Sequence, residues 1–282
     1  MRHSLRRKIV SGAFVAFCVA SVVLALIPLG FILFFALGRG LPALDLEFFT
    51  QLPRPVGEAG GGMANAMVGT LILIGIAAAL AVPVGILTGI YLSEYRCSFL
   101  STAVRFSADV LNGVPSIVIG IFAYTLAVLP FRRFSALAGG LALGVMMIPI
   151  IVRTTEELLL LVPSTLREAA SALGATRTRA VFMVILPAAL PGILTGVLVA
   201  LARIAGETAP LLFTSFNNRY WSTGLFQPIA SLTVQIYTYA ISPYEDWHRQ
   251  AWAGAVVLIG AVLIFSILAR IATRRLERMH AS

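Results

Sequence analysis

Residues 180–202, AVFMVILPAALPGILTGVLVALA, contain no charged side chain, and Arg203 follows them directly. A helix of roughly 20 residues crosses the ~30 Å of hydrocarbon in a bilayer, so this run is long enough to span a membrane. Other charge-free runs of similar length lie at 9–38, 59–93, 110–131, 134–152 and 250–269. The pattern predicts an all-α membrane protein with six transmembrane helices. It excludes a soluble α/β or β-rich enzyme.

Charged residues make up 12% of the chain, about half of the roughly 25% that is usual in soluble domains. The net charge is +9, and many of the basic residues flank the first and last apolar runs: Arg2, Arg6, Arg7, Lys8, Arg270, Arg274, Arg275 and Arg278. An excess of Lys and Arg marks the cytoplasmic side of a membrane protein. Six spans place both basic ends in the cytoplasm. A seventh charge-free run, 220–244, would place the basic tail outside and carries Pro228 and Gln235, so we exclude it as a span.

The predicted organisation follows from these runs. A cytoplasmic basic segment (1–12) precedes the first transmembrane helix (13–37), a periplasmic loop (38–65), a transmembrane domain (66–271) and a cytoplasmic basic tail (272–282). Within the domain, the predicted spans are 66–92, 110–129, 136–151, 187–213 and 251–269. In the outer loop between the fifth and sixth spans, five apolar or aromatic residues recur at helical spacing: Leu225, Ile229, Leu232, Ile236 and Tyr239. They predict a helix that lies at the membrane interface or packs against a partner.

The residues needed for several common chemistries are missing from the sequence. Lys8 is the only lysine, so there is no P-loop to hold nucleotide phosphates. His3, His248 and His280 are scattered, without Cys or carboxylates at metal-ligand spacing. We therefore predict a chain that is not an enzyme and binds neither metal nor cofactor itself.

Residues 154–187 form a long predicted cytoplasmic segment with its own helix signals. Thr165-x-x-Glu168 fits a capping box, and Gly174 stands where a helix needs a left-handed C-cap. A second helix is expected from about Thr176 to Leu186-Pro187. On physical grounds alone, this hairpin either docks another protein or is a turn that covers the bundle.

The same segment resembles the EAA motif of ABC-importer permeases, Glu-Ala-Ala-x3-Gly-x9-Ile-x-Leu-Pro. The matching residues are Glu168, Ala169, Ala170, Gly174, Leu186 and Pro187, with Val184 in the Ile position. Residues 112–116 (NGVPS), 153–156 (RTTE) and 203–211 (RIAGETAPL) further resemble phosphate permeases, in the form of their A subunit. The resemblance covers about 60–271. It implies the type I importer permease fold, with a coupling helix that docks on a separate ATPase.

The resemblance also implies a function and a set of partners. The expected function is translocation of inorganic phosphate across a bacterial inner membrane by alternating access. The expected partners are a sister permease that forms a heterodimer, a homodimeric ATPase that binds ATP and Mg, and a periplasmic phosphate-binding protein, with no nucleic acid. Two alternatives remain at this stage: a permease for another oxyanion, such as molybdate or sulfate, and a membrane scaffold or regulatory protein that transports nothing.

Two arginines lie within or beside predicted spans. Arg203 falls near the middle of the fifth span, where an Arg costs ~2.5–3.5 kcal/mol on insertion scales, so it must face a cavity or a partner. Glu207, one turn later, either pairs privately with Arg203 or limits the charge of an anion path that Arg203 lines. Arg153, at the inner end of the fourth span, is either a second anion contact or an anchor at the inner surface.

Pro115 interrupts the third span between two polar residues, Asn112 and Ser116, which would share a face at i and i+4. This stripe faces the path or satisfies a hydrogen bond between helices. The predicted substrate path therefore consists of Arg203, Glu207, Arg153, Asn112 and Ser116. The predicted ATPase-coupling residues are Glu168, Ala169, Ala170, Gly174, Leu186 and Pro187.

Overall fold

The computed structural model describes residues 2–58 and 60–280, and gives the backbone alone for residues 2–5, 9, 268–269 and 272–280. Over these residues the chain forms twelve α-helices: α1 (Arg2–Gly40), α2 (Leu46–Thr50), α3 (Ala64–Glu94), α4 (Phe99–Gly113), α5 (Ser116–Ala123), α6 (Ala136–Leu161), α7 (Ser164–Ala172), α8 (Arg177–Ala180), α9 (Leu186–Ala205), α10 (Ala209–Thr214), α11 (Leu232–Ala240) and α12 (Glu245–His280). Short π-helical turns, Tyr124–Val128 and Val181–Ile185, continue α5 and α8. The described part of the chain contains no β-strand, which confirms the all-α fold class.

Among the described residues, five helical stretches are long and apolar enough to cross a membrane: Arg6–Ala43, Ala64–Glu94, Ala136–Leu161, Arg177–Ala205 and Glu245–Ile267. A sixth crossing results if the bent pair Phe99–Gly113 and Ser116–Val128 counts as one span. The predicted six spans agree with this arrangement.

The third span differs from the continuous helix predicted over 110–129. The chain bends by 107° between α4 and α5. Pro115 explains the break, because it has no N–H to donate and forces Val114 into an extended conformation, with ψ of 130°. As a result, Asn112 ends one helix and Ser116 begins the next. The prediction of a polar stripe along a single helix was wrong.

The fourth and fifth spans also end at different residues from those predicted. Helix α6 does not end at 151 but continues through Pro149 to Leu161, and it ends where Val162 adopts the extended conformation before Pro163. The projection that was predicted to be cytoplasmic therefore starts after Leu161 rather than at 154. The fifth span was predicted to be continuous to 213, but α9 ends at Ala205 with Gly206 as its C-cap, and α10 is a separate short helix.

Glycines let α3 and α6 pack in parallel at very short range. A Cβ added to Gly85 would lie 2.6 Å from Ile151 Cγ2, and one added to Gly89 would lie 2.6 Å from Thr155 Cβ. Small residues at such positions allow helix backbones to approach closely, which is the main source of packing energy between apolar helices in lipid. Residues Leu73, Ala77, Ala81, Leu143, Met147 and Ile151 form the core of this contact.

Helix α9 packs on the same α6 in the opposite direction. A Cβ at Gly192 would lie 3.0 Å from Leu158 Cδ2, and a Cβ at Gly196 would overlap Thr154. Later residues of α9 therefore contact earlier residues of α6, so the two helices are antiparallel. Helices α3, α6 and α9 form the centre of the bundle.

The predicted helix in the last outer loop is present as α11, and part of its surface packs against other residues of this chain. Tyr239 is only 2% exposed and stacks on Trp247, with ring centroids 4.5 Å apart. Burial raises the pKa of Tyr239 above its ordinary value. Leu232 is buried in the same cluster, whereas Leu225 precedes α11 and is exposed. One face of helix α11 is therefore covered by its own chain.

The two long terminal helices meet at one end of the bundle. A Cβ at Gly40, the last residue of α1, would lie 2.5 Å from the Trp252 carbonyl oxygen near the start of α12. Met63, which precedes α3, packs beside Gly254 at the same end. The start of α1, the projection α7–α8 and the end of α12 consequently lie at the opposite end. Every residue of α1 from Val10 to Ile32 is exposed, and the helix becomes buried only near its end, at Ala36.

Candidate functional site

The hairpin after α6 has the conformation that the glycine signal predicts. Helix α7 ends near Leu173, and Gly174 adopts a φ of +78°, where only glycine is free of strain. Its amide donates to the Ser171 carbonyl, and the Ala175 amide donates to the Ala170 carbonyl, 3.0 Å away in each case. The predicted C-cap is confirmed. Thr176 then caps α8 by accepting a hydrogen bond from the Arg179 amide.

The predicted capping box at Thr165 and Glu168 was wrong. Helix α7 already begins at Ser164 after Pro163, so Thr165 lies inside the first turn and caps nothing. Glu168 and Ala169 are exposed, Ala170 is buried, and Leu173 is 89% exposed. An apolar side chain this exposed at the tip of a hairpin presents a surface that a partner protein could cover. Leu186 and Pro187 are half-buried at the start of α9, away from this tip.

Glu94 ties this hairpin to the membrane-spanning part. It is the last residue of α3, and its side chain is 7% exposed. Arg167 of α7 binds Glu94 Oε1, and Arg177 of α8 places Nε 3.0 Å from Oε2. The Arg177 guanidinium also lies over the Tyr95 ring, 4.6 Å from its centroid. The sequence did not predict this cluster, because its members are far apart in the chain.

Arg153, the predicted second anion contact, is held by two carboxylates. Its Nε lies 2.9 Å from Asp109 Oδ1, and its Nη1 lies 3.0 Å from Glu156 Oε2. Glu156 is 3% exposed and accepts a second charge-assisted hydrogen bond from Arg105 Nε, at 2.5 Å. The four side chains form a neutral cluster between α4 and α6. The sequence could have indicated one of these ion pairs, because Glu156 lies three residues after Arg153 and such residues are neighbours on a helix.

Arg105 reaches a third helix from this cluster. Its Nη2 donates to the Leu92 carbonyl oxygen at 2.9 Å, and its Nη1 donates to the Arg96 carbonyl oxygen at 3.0 Å. These carbonyls belong to the last turn of α3 and the residues after it, which have no partner within the helix. The guanidinium therefore caps α3 while it binds Glu156.

Arg203 and Glu207 do not form the private ion pair that was one of the two interpretations. Arg203 is exposed in the last turn of α9, and Glu207 is half-buried in the connection to α10. Within the described residues, neither side chain makes an ion pair or hydrogen bond, although the Glu207 carbonyl accepts one from Thr233 Oγ1 at 2.8 Å. Gly206 is the reason, because it ends the helix before Glu207 can follow one turn after Arg203.

The predicted path residues lie at two levels of the bundle. From the register of Gly196 on Thr154, Arg203 lies at the level of Met147, about 9 Å along the helix axes from Arg153. Asn112 is exposed, one turn after Asp109 on α4, and so lies near the Arg153 level. Ser116 is half-buried at the start of α5. The structure thus brings Asn112 towards Arg153 but leaves Arg203 separate from both.

A metal site is not apparent in the part of the chain that the structure describes. No group of three or more His, Cys, Asp or Glu side chains there is arranged to hold a metal ion.

Comparison with known proteins identifies the family. Residues 81–278 match the model of the binding-protein-dependent transport system inner membrane component. The chain is 47% identical over 253 residues to the phosphate transport system permease protein PstA of Yersinia pestis, covering 89% of this chain and 86% of that protein. It is 39% identical to PstA 1 of Mycobacterium tuberculosis strain H37Rv, covering 96% of this chain and 91% of that protein. The resemblance found in the sequence is confirmed.

Solved structures show the same fold at lower sequence identity. An inward-facing MetNI methionine ABC transporter chain superposes with a TM-score of 0.59 at 21% identity, covering 75% of this chain and 93% of that one. A chain of a bacterial alginate ABC transporter superposes with a TM-score of 0.69 at 14% identity, covering 92% and 93%. The chain belongs to the family of inner-membrane components of binding-protein-dependent transport systems, as a multi-pass permease with the ABC-transporter fold and PstA proteins among its relatives.

Proposed function

We propose that this chain is the membrane permease subunit of an ATP-driven importer that moves inorganic phosphate across a bacterial inner membrane by alternating access. The observation that carries the proposal is the identity of 39% to 49% with permeases named for phosphate transport, over at least 82% of their lengths.

Arg203 is the proposed direct contact for the anion. An exposed guanidinium in the last turn of α9, without a partner among the described side chains, is costly in lipid and requires water, an anion or another subunit. Guanidinium binds phosphate through two parallel N–H···O bonds, which an ammonium cannot do. Glu207, close by in sequence, would keep the local charge low enough for the anion to leave.

Arg153, Asn112 and Ser116 are proposed to line the path at a second level. Arg153 is neutralised by Asp109 and Glu156, so it attracts an anion less strongly than Arg203 does. Its pair with Asp109 is at the exposed side of the cluster, where an incoming oxyanion could replace the carboxylate. Asn112, one turn away on α4, offers an amide donor to the same anion.

The energy for transport is proposed to come from a separate ATPase. The exposed surface of the α7–α8 hairpin, formed by Glu168, Ala169 and Leu173, would dock on a homodimeric ATPase that binds ATP and Mg. Buried Ala170 and the positive φ of Gly174 would maintain the shape of the hairpin. In this arrangement both ends of the chain would lie in the cytoplasm. A sister permease in a heterodimer and a periplasmic phosphate-binding protein would complete the importer. This subunit itself would catalyse no reaction.

Reconstitution of the complex in proteoliposomes tests the function. The chain is purified with its co-purifying subunits, and uptake of labelled phosphate is measured with ATP inside or outside the vesicles, against molybdate and sulfate as competitors. ATP-dependent phosphate uptake, insensitive to the other oxyanions, is expected. Uptake of another oxyanion in preference to phosphate would contradict the substrate, and a chain that never co-purifies with an ATPase would contradict transport.

A further inference from the structure

The last turn of α3, residues 92–96, is bound on one side by the cytoplasmic hairpin and on the other by the cluster that holds Arg153. We propose that this turn is the joint through which movement of the hairpin reaches the anion path, with Glu94 and Arg105 as positioning residues on its two sides. The inference deepens the proposed function and rests on it. Three contacts, taken in order, make up the joint.

The first contact joins the hairpin to α3. Glu94 receives Arg167 from α7 and Arg177 from α8, and Arg177 also donates to the Glu94 backbone carbonyl oxygen. The carboxylate is nearly buried, and charge-assisted hydrogen bonds of this kind are about twice as strong as neutral ones. Because both hairpin helices bind the same carboxylate, the hairpin cannot shift without moving the end of α3 or breaking these bonds.

The second contact joins the end of α3 to α4. Arg105 donates to the carbonyl oxygens of Leu92 and Arg96, on either side of Glu94 in the chain. A guanidinium that caps a helix end in this way is fixed to the backbone rather than to a mobile side chain. A displacement of the turn therefore displaces Arg105.

The third contact joins Arg105 to the path. Buried Glu156 accepts hydrogen bonds from Arg105 and from Arg153, so a shift of one guanidinium changes the position of the carboxylate that the other binds. Arg153 has one exposed partner, Asp109, whose side chain is 52% exposed. Exposed ion pairs contribute little to stability, so this is the bond that breaks first. Arg153 would thus alternate between Asp109 and the anion as the hairpin moves.

The substitution Glu94→Gln tests the joint, because it removes the charge that both hairpin arginines bind and keeps the size of the side chain. The matched control is Glu157→Gln, since Glu157 is exposed on α6 next to Glu156 and makes no ion pair among the described residues. Both variants are assembled with their partner subunits in proteoliposomes, and phosphate uptake and ATP hydrolysis are measured in the same vesicles. The informative quantity is the number of phosphate ions moved per ATP hydrolysed.

We expect Glu94→Gln to assemble and hydrolyse ATP while the phosphate moved per ATP falls at least tenfold, with Glu157→Gln unchanged. An unchanged ratio, or a proportional loss of uptake and hydrolysis, would overturn the proposal, because a merely structural residue alters assembly and not coupling. If Glu94→Gln fails to assemble, Arg105→Lys decides instead, since it keeps the charge but cannot bind two carbonyls and Glu156 together, and the same loss of ratio is expected. Wild-type vesicles that move no phosphate would contradict the proposed function rather than the joint.

Discussion

Arg153 binds Asp109 through two parallel bonds, with Nε 2.9 Å from Oδ1 and Nη2 3.0 Å from Oδ2. The ion pair joins α6 to α4, and in the chain these two helices are separated by the break at Pro115 and by α5. A side-on pair of this kind occupies the same nitrogen atoms that a phosphate would use. If Arg153 binds the transported anion as proposed, Asp109 and that anion compete for one guanidinium.

This competition predicts the effect of Asp109→Asn. The amide cannot displace an anion from Arg153 as a carboxylate can, so the anion should leave more slowly and the uptake rate at saturating phosphate should fall severalfold. The stability of the purified complex should change by less than about 1 kcal/mol, because the pair is exposed. Initial uptake rates over a range of phosphate concentrations, together with thermal unfolding in detergent, check both expectations. An uptake rate equal to that of the wild type would show that Asp109 does not compete.

The substitution Arg203→Ala is expected to abolish phosphate uptake while the complex still assembles. Arg203 is exposed, and its side chain makes no ion pair or hydrogen bond within the described structure, so its loss breaks no polar contact of the fold. Arg203→Lys should retain a small part of the uptake, since the charge remains but the two parallel bonds do not. Labelled-phosphate uptake and co-purification are the measurements. Arg39→Ala is the matched control, because Arg39 is also exposed and lies in the last turn of a helix, α1. Near-normal uptake by Arg203→Ala would remove Arg203 from the path.

Some of these features could be predicted from the sequence because they depend on neighbouring residues. The apolar runs identified the spans, and Gly174 marked the helix end, since a charge-free run and a left-handed glycine act within one or two turns. The ends of the spans were less accurate. Gly206 and Pro115 were visible in the sequence, but the 107° bend at Pro115 depends on how α5 packs against α10.

The charged clusters could not be predicted in the same way. Glu94 is 73 residues from Arg167 and 83 from Arg177, and Arg105 is 51 from Glu156. No local pattern links such residues, and each one alone is consistent with a solvated charge at a membrane boundary. For Arg203 and Glu207 the local pattern was misleading instead. Their spacing is consistent with an ion pair on one helix, but the helix ends at Gly206 and the pair does not form.

The contact between α3 and α6 predicts unequal effects for two glycines of the same helix. A Cβ at Gly89 would lie 2.6 Å from Thr155 Cβ and 2.9 Å from the Val152 carbonyl oxygen, so Gly89→Ala must push the helices apart. Overpacking of this kind costs about 1–3 kcal/mol. Gly75→Ala is the control, since a Cβ there meets nothing within 4 Å and alanine favours the helix. Thermal unfolding in detergent should show a loss of stability for the first variant only, and equal unfolding temperatures would contradict the close packing.

The substitution Gly174→Val should uncouple ATP hydrolysis from transport because it strains the backbone of the hairpin. A second variant, Gly174→Asn, separates this cause from a change of the hairpin surface. Gly174 has a φ of +78° and open space around it, with no atom within 4 Å of an added Cβ, so valine causes strain in the backbone and not a clash within the chain. A β-branched residue is a true outlier at positive φ, whereas asparagine tolerates this region, so Gly174→Asn should retain most of the coupling. Phosphate uptake and ATP hydrolysis in proteoliposomes give the ratio for each variant. If asparagine uncouples as severely as valine, the surface around Gly174 must itself touch the ATPase, and the backbone conformation would not be the cause.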